Sequence, residues 1–117
     1  MRQIGLIVFF LLTGFYLFTA EKSKEDEYVG MILEDVIKKL GDPDYQSLNT
    51  IDEDYRGYEY EPDYAKYFSI TELKQSVTIN VIIYKKRREK IIIWFKKNDN
   101  NWTAFSSIRF NPESVLF

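Results

Sequence analysis

The stretch from Val77 to Phe110 leaves few choices of fold. Val77, Ile79, Val81 and Ile83 alternate with Thr78, Asn80, Ile82 and Tyr84. Ile91, Ile93 and Phe95 alternate with Ile92, Trp94 and Lys96, and Trp102, Ala104, Ser106, Ile108 and Phe110 alternate with Thr103, Phe105, Ser107 and Arg109. A period of two is strand spacing, because successive side chains leave opposite faces of a pleated backbone. The runs are separated by Lys85-Lys86-Arg87-Arg88-Glu89-Lys90 and by Asn98-Asp99-Asn100-Asn101, the latter built from residues that tolerate positive φ. Consecutive strands joined by tight polar turns predict an antiparallel meander, with Asn111-Pro112 ending it and Val115-Leu116-Phe117 as a short apolar tail.

A sheet with an apolar face needs a layer to cover it. Gly30 to Pro43 supplies one. Ile32, Leu33, Val36, Ile37 and Leu40 recur at helical spacing. Glu34 and Asp35 stand near the start and Lys38 and Lys39 near the end, which suits the helix dipole and allows pairs four residues apart. Gly41 can close the helix with a positive φ, and Pro43 forbids its continuation. Between helix and meander, Asp44 to Asp52 reads as a loop with Tyr45, Leu48 and Ile51 as plugs. Tyr55 to Glu61 reads as a strand, with Tyr58 and Tyr60 on one side and Glu59 and Glu61 on the other. Tyr64 to Ile70 is a weaker strand or an irregular return, and Glu72 to Ser76 a polar turn. The expected class is α+β: a short helix packed on an antiparallel β-meander as a two-layer sandwich. The second sheet face also stays apolar in part, at Ile82, Tyr84, Ile92, Trp94 and Phe105. Either another segment covers that face or it is a contact surface.

Ahead of this domain, Met1-Arg2-Gln3 precedes an uncharged run from Ile4 to Ala20, followed by the charged Glu21 to Glu27. A positive start, an apolar middle and a small residue at the end describe a secretory signal. Phe18 is bulky where a small residue is preferred, so the alternatives are an uncleaved anchor or a buried helix of the domain. Residues 1–20 are therefore expected as an N-terminal apolar signal or anchor helix, 21–27 as a polar linker and 28–117 as a single α+β domain. The leading readings place the domain outside the cytoplasm, periplasmic or tethered to a membrane and facing the periplasm.

The residue types exclude more than they suggest. With no cysteine and no histidine, disulfides, thiolate chemistry and the commonest acid–base group at neutral pH are all missing. Ser106-Ser107 sits on a strand without the strained turn of a nucleophile elbow, and nothing singles out a pair of carboxylates. We expect no enzyme, no cofactor and no metal. A net charge of −2 argues against a nucleic-acid partner, which needs a basic surface. A terminal Phe117 is shared with outer-membrane barrels, but too few strands are present for one.

Gly30-Met31, then Asp35-Val36, then Leu40-Gly41-Asp42-Pro43 resembles the opening of the SmpA/OmlA (BamE-like) proteins. That family has Gly-Met-Thr, a helix with Val inward, and Leu-Gly-x-Pro at its end, followed by antiparallel strands. Ile32 stands where the family has a capping Thr. The family's lipid-anchoring cysteine is missing, and the segment from Tyr45 to Ile70 is longer and richer in tyrosine. The resemblance implies a small exported envelope protein acting as an accessory factor in outer-membrane assembly; related folds inhibit enzymes by surface contact. It carries no functional residue across.

Two stretches are candidate sites. Asp52 to Tyr67 interleaves Asp52, Glu53, Asp54, Glu59, Glu61 and Asp63 with tyrosines. Tyr55, Tyr58, Tyr60, Tyr64, Tyr67 and Trp94 read as a partner surface, since tyrosine gives contact area at low entropy cost. The plainer reading is a solvated edge with tyrosines lying on the sheet, and the carboxylate spacing fits no calcium loop. The basic hairpin tip, Lys85, Lys86, Arg87 and Arg88, suits anionic lipid headgroups or an acidic partner, or is a solubilising feature. Asn101-Trp102-Thr103 matches a glycosylation sequon, meaningful only in a eukaryotic secretory route.

These readings converge on a noncatalytic exported domain of the cell envelope that holds a protein partner, with a membrane-surface contact as a further candidate. The rivals are a small-ligand pocket domain of the nuclear-transport-factor-2-like kind, whose last strands read much as Ile91 to Ile108 do, and an inhibitor of a secreted hydrolase. A pocket domain requires an internal apolar cavity lined by Trp94, Trp102 and tyrosines.

Overall fold

The computed structural model describes residues 24–55, 57 and 60–112. The expected signal or anchor helix, Tyr58 and Glu59, and the tail from 115 to 117 lie outside the described residues. Among those described, no helix is long and apolar enough to cross a membrane. The elements are β1 (Lys24–Glu25), α1 (Leu33–Leu40), β2 (Tyr45–Ile51), a 3-10 turn (Tyr64–Lys66), α2 (Ile70–Lys74), β3 (Val77–Lys86), β4 (Glu89–Asn98) and β5 (Asn101–Phe110). The protein is α+β. A five-stranded sheet in the order β1-β5-β4-β3-β2 is antiparallel throughout.

The meander follows the alternation. Its tips pair Lys86 with Glu89 and Asn98 with Asn101. Arg88 and Asp99 take positive φ of 67° and 57° there. Ile82, Tyr84, Ile91, Ile93 and Phe95 face one core with Tyr28 and Val36 of the helical side. Ile79, Val81, Ile92 and Trp94 face a second core on the opposite side.

In β5 the expected phase holds only halfway. Phe95 stands opposite Ala104 and Trp94 opposite Ser106, so Phe105 is an extra, bulged residue. A bulge shifts the side-chain alternation by one. Trp102 and Ala104 stay with the α1 core, whereas Phe105, Ile108 and Phe110 join the other.

α1 begins at Ile32 without a side-chain cap. It is fastened instead by strand-like bonds to β5: Gly30 N donates to Ala104 O at 2.9 Å and Ala104 N to Met31 O at 2.8 Å. Gly30 needs a φ of 92° to make that turn, a conformation glycine reaches without penalty. At the other end Gly41 has φ 86°, and the Tyr84 hydroxyl donates to its carbonyl at 2.8 Å. Val36 is the one helix residue fully enclosed. Burial, with help from Asp42 and Asp44, raises the Tyr84 hydroxyl above its ordinary value.

Four expectations are corrected. The stretch read as a loop, Tyr45 to Ile51, is the seven-residue strand β2, paired with β3 from Tyr45–Ile83 to Ile51–Val77. Only Ile51 is buried, so no alternation announced it; the backbone ladder holds it. The strand expected at Tyr55 to Glu61 is absent among the described residues: Tyr55 and Gly57 have no regular structure, and Tyr60 and Glu61 bend the chain before Pro62. The polar turn Glu72 to Ser76 is largely helix: in α2 the Ser69 hydroxyl accepts from Glu72 N while the Glu72 carboxylate accepts from Ser69 N, a capping box. The Ser69 backbone bond, with its hydroxyl, holds the Glu72 carboxyl below its usual value. Lys24–Glu25, expected in a linker, is strand β1 against Arg109 and Ile108.

The sheet is also covered on both faces rather than one. α1 lies on the first, and Tyr55, Tyr60, Tyr64, Tyr67, Phe68 and Leu73 lie on the second. The second face, with Ile92, Trp94 and Phe105, therefore has its cover within the chain, whereas Ile82 and Tyr84, expected beside them, lie on the α1 face.

Candidate functional site

The second cover is an aromatic layer. Asp52 Oδ1 accepts from Asp54 N at 2.9 Å, and Asp63 caps the 3-10 turn by accepting from Ala65 N. These local side-chain bonds replace a ladder. The bulged Phe105 is the hub. Tyr67 lies 5.0 Å, Phe68 5.3 Å and Tyr64 6.3 Å from it, centroid to centroid. Tyr60 stacks on Phe110 at 4.9 Å, and Tyr55 meets Tyr64 edge-on at 5.8 Å.

The hydroxyls of Tyr55 and Tyr64 donate to the two oxygens of Glu61 at 3.0 and 2.6 Å. Burial first, then the bond to Glu61 and its charge, drives the Tyr64 hydroxyl far above its ordinary value, while a hydrogen bond with Trp94 pulls the other way. A neutral phenol is thus the form this layer holds.

Of the six aromatics expected as a partner surface, Trp94 is corrected: it is 3% exposed and part of the core. Tyr55, Tyr60, Tyr64 and Tyr67 are half-buried and packed on that core, so they are brought together around Phe105 and Phe110 with the sheet beneath them. Tyr58 is outside the described residues.

Two concavities flank this layer. A cleft of about 410 Å³ lies between it and the β1–β5 side of the sheet, walled by Tyr60, Tyr67 and Trp94. A larger one, about 690 Å³, lies between α2 and the β4–β5 turn and includes Lys96, Lys97 and Trp102. Trp94 and Trp102 therefore line separate clefts and not a shared interior cavity. Among the described residues no group of His, Cys, Asp or Glu gathers as a metal site. The Ser107 hydroxyl accepts from Tyr28 N at 3.2 Å.

The basic tip is exposed as expected, and it adjoins something the sequence did not announce. Lys85 Nζ sits 4.8 Å over the Tyr45 ring, and Asp44 Oδ2 accepts from Lys85 N at 2.6 Å. β2 runs from there along the sheet boundary to Asp52, Glu53 and Asp54. Its outer edge pairs with nothing among the described residues. Tyr45 is 57% and Leu48 65% exposed. The strand contains no charge and no proline, and its pairing with β3 has no bulge. Such an edge is a ready template for another strand.

Comparison with protein-family models, with curated proteins and with solved structures gives no match to this chain.

Proposed function

We propose that the protein is a noncatalytic exported domain of the cell envelope, an accessory factor of the outer-membrane-assembly kind, that holds a protein partner by adding a strand of that partner to β2. The observation that carries this is the uncharged, regular edge of β2 with Tyr45 and Leu48 outward. Edge strands that must stay single are blunted by charge, proline or a bulge; this one has none of these. Acidic residues at one end, Asp52 to Asp54, and the basic tip at the other favour a partner segment of opposite polarity. Export is supported by residues 1–27 as read above, and the envelope role by the resemblance of Gly30 to Pro43.

Placing a photo-crosslinking residue at Leu48, and separately at Ile70 as an exposed control, tests the reading in the native envelope fraction. The expected result is one discrete adduct from Leu48, removed by Thr50→Pro at a position whose N–H faces outward, and none from Ile70. Adducts at both positions alike, or an adduct with a second copy of the chain, would overturn it. The small-ligand pocket reading has one observation in its favour, the aromatic cleft beside Trp94.

A further inference from the structure

The cleft of about 410 Å³ joins features that neither the fold nor strand docking uses. Its walls are aromatic: Tyr60, Tyr67 and Trp94. Each is fixed before any ligand arrives, Tyr60 by stacking on Phe110, Tyr67 by packing on Phe105 and Trp94 by its place in β4. Its rim carries the carboxylates of Glu25 and Asp26, the Glu61 carboxylate being held by Tyr55 and Tyr64, and none of its described lining residues is Lys or Arg. Aromatic ring faces and carboxylates share one preference, a positive charge.

One polar group inside is left over. Ser106 lines the cleft and is 7% exposed. Among the described residues its hydroxyl has no hydrogen bond within the protein, and it is not sealed away from the cleft. Its oxygen is open to the cleft and can accept a hydrogen bond there. A hydroxyl oxygen facing an aromatic, acid-rimmed cleft fits a ligand with N–H donors.

We propose that this cleft binds an alkylammonium group, its N–H donating to the Ser106 oxygen and its methylenes lying against Trp94 and the tyrosines. Two sources share that chemistry, a free aliphatic amine and the lysine side chain of a protein. The proposal stands apart from strand docking: the cleft lies by β1 and β5, at the other end of the sheet order from β2.

The test is a fluorescence titration of the full chain carrying Trp102→Phe, so that Trp94 reports alone. The probes are cadaverine, the capped tripeptide acetyl-Gly-Lys-Gly-amide, and pentanol as a neutral control, at constant ionic strength. A saturable change with either amine and none with pentanol is expected. Cadaverine alone assigns the site to free amines, and the peptide alone to a protein lysine. Ser106→Ala is expected to weaken binding roughly three- to tenfold. Glu25→Gln, on the exposed rim where folding is not at stake, should weaken it about two- to fivefold. No saturable change with either amine, an equal response to pentanol, or unaltered binding in both variants would overturn the proposal.

Discussion

Along β5 the sheet boundary is occupied for most of its length. Lys24 and Glu25 pair with Arg109 and Ile108, Asp26 N donates to Ser107 O at 2.8 Å, and Gly30 and Met31 bracket Ala104. Ile32 bridges to Thr103. Arg109 adds ion pairs to Glu27 and Glu89 at 3.1 and 3.3 Å. Along β2, at the opposite boundary, the outward-facing backbone groups of every second residue in a seven-residue strand pair with nothing among the described residues. The chain thus closes one edge with its own N-terminal residues, and the edge it leaves open is the one without protective charge. The difference separates a boundary that serves stability from one that is available for recognition.

The strongest way to break this comparison is to attack the closed edge at its anchor. Tyr28 is buried in the α1 core, and Lys39 Nζ stands 5.6 Å over its ring. Tyr28→Ala is expected to cost about 3 kcal/mol in urea unfolding, whereas Tyr45→Ala on the open edge should stay within about 0.5 kcal/mol. Gly30→Ala comes next. No atom lies where its Cβ would go, so the loss is conformational, about 1–2 kcal/mol for an L-residue held at positive φ.

Alkaline pH sharpens the contrast further. Burial raises the hydroxyls of Tyr28, Tyr64 and Tyr84 above the ordinary tyrosine value of 10.0. The folded state holds these protons more tightly, so their contribution is intact below that pH and is lost as pH rises beyond it. Stability should fall above about pH 10, and less steeply in Tyr64→Phe. The smallest effect on stability belongs to Leu48→Lys, expected within about 0.5 kcal/mol. The same change should abolish partner capture, since a charged edge resists strand addition.

What the sequence made legible follows from burial. β3 and β4, enclosed on both faces, announced themselves by alternation, and Gly41 and the polar turns marked their own boundaries. β2 was hidden because an edge strand wet on both faces needs no apolar period, so Tyr45 to Ile51 looked like a loop. The bulge at Phe105 was hidden because an inserted residue breaks the period that reveals a strand. The tyrosines were visible as a group, and Phe105 lies on the face its alternation implied, but Ile108 and Phe110, past the bulge, lie on the face opposite to the one an unbroken alternation implies. α2 could have been found: Ser69-Ile70-Thr71-Glu72 is a capping-box pattern. The cleft could not, because Ser106 and Trp94 meet only through the cross-strand register.

Amide hydrogen exchange, read residue by residue on the free protein, tests the central claim most directly. Slow exchange is expected through β3, β4 and β5, including Ala104 and Ser107 where residues 24–32 close the edge, with an alternation of slow and fast amides along Tyr45 to Ile51. Uniform protection of β2 would contradict it, because the edge reserved for a partner would already be filled.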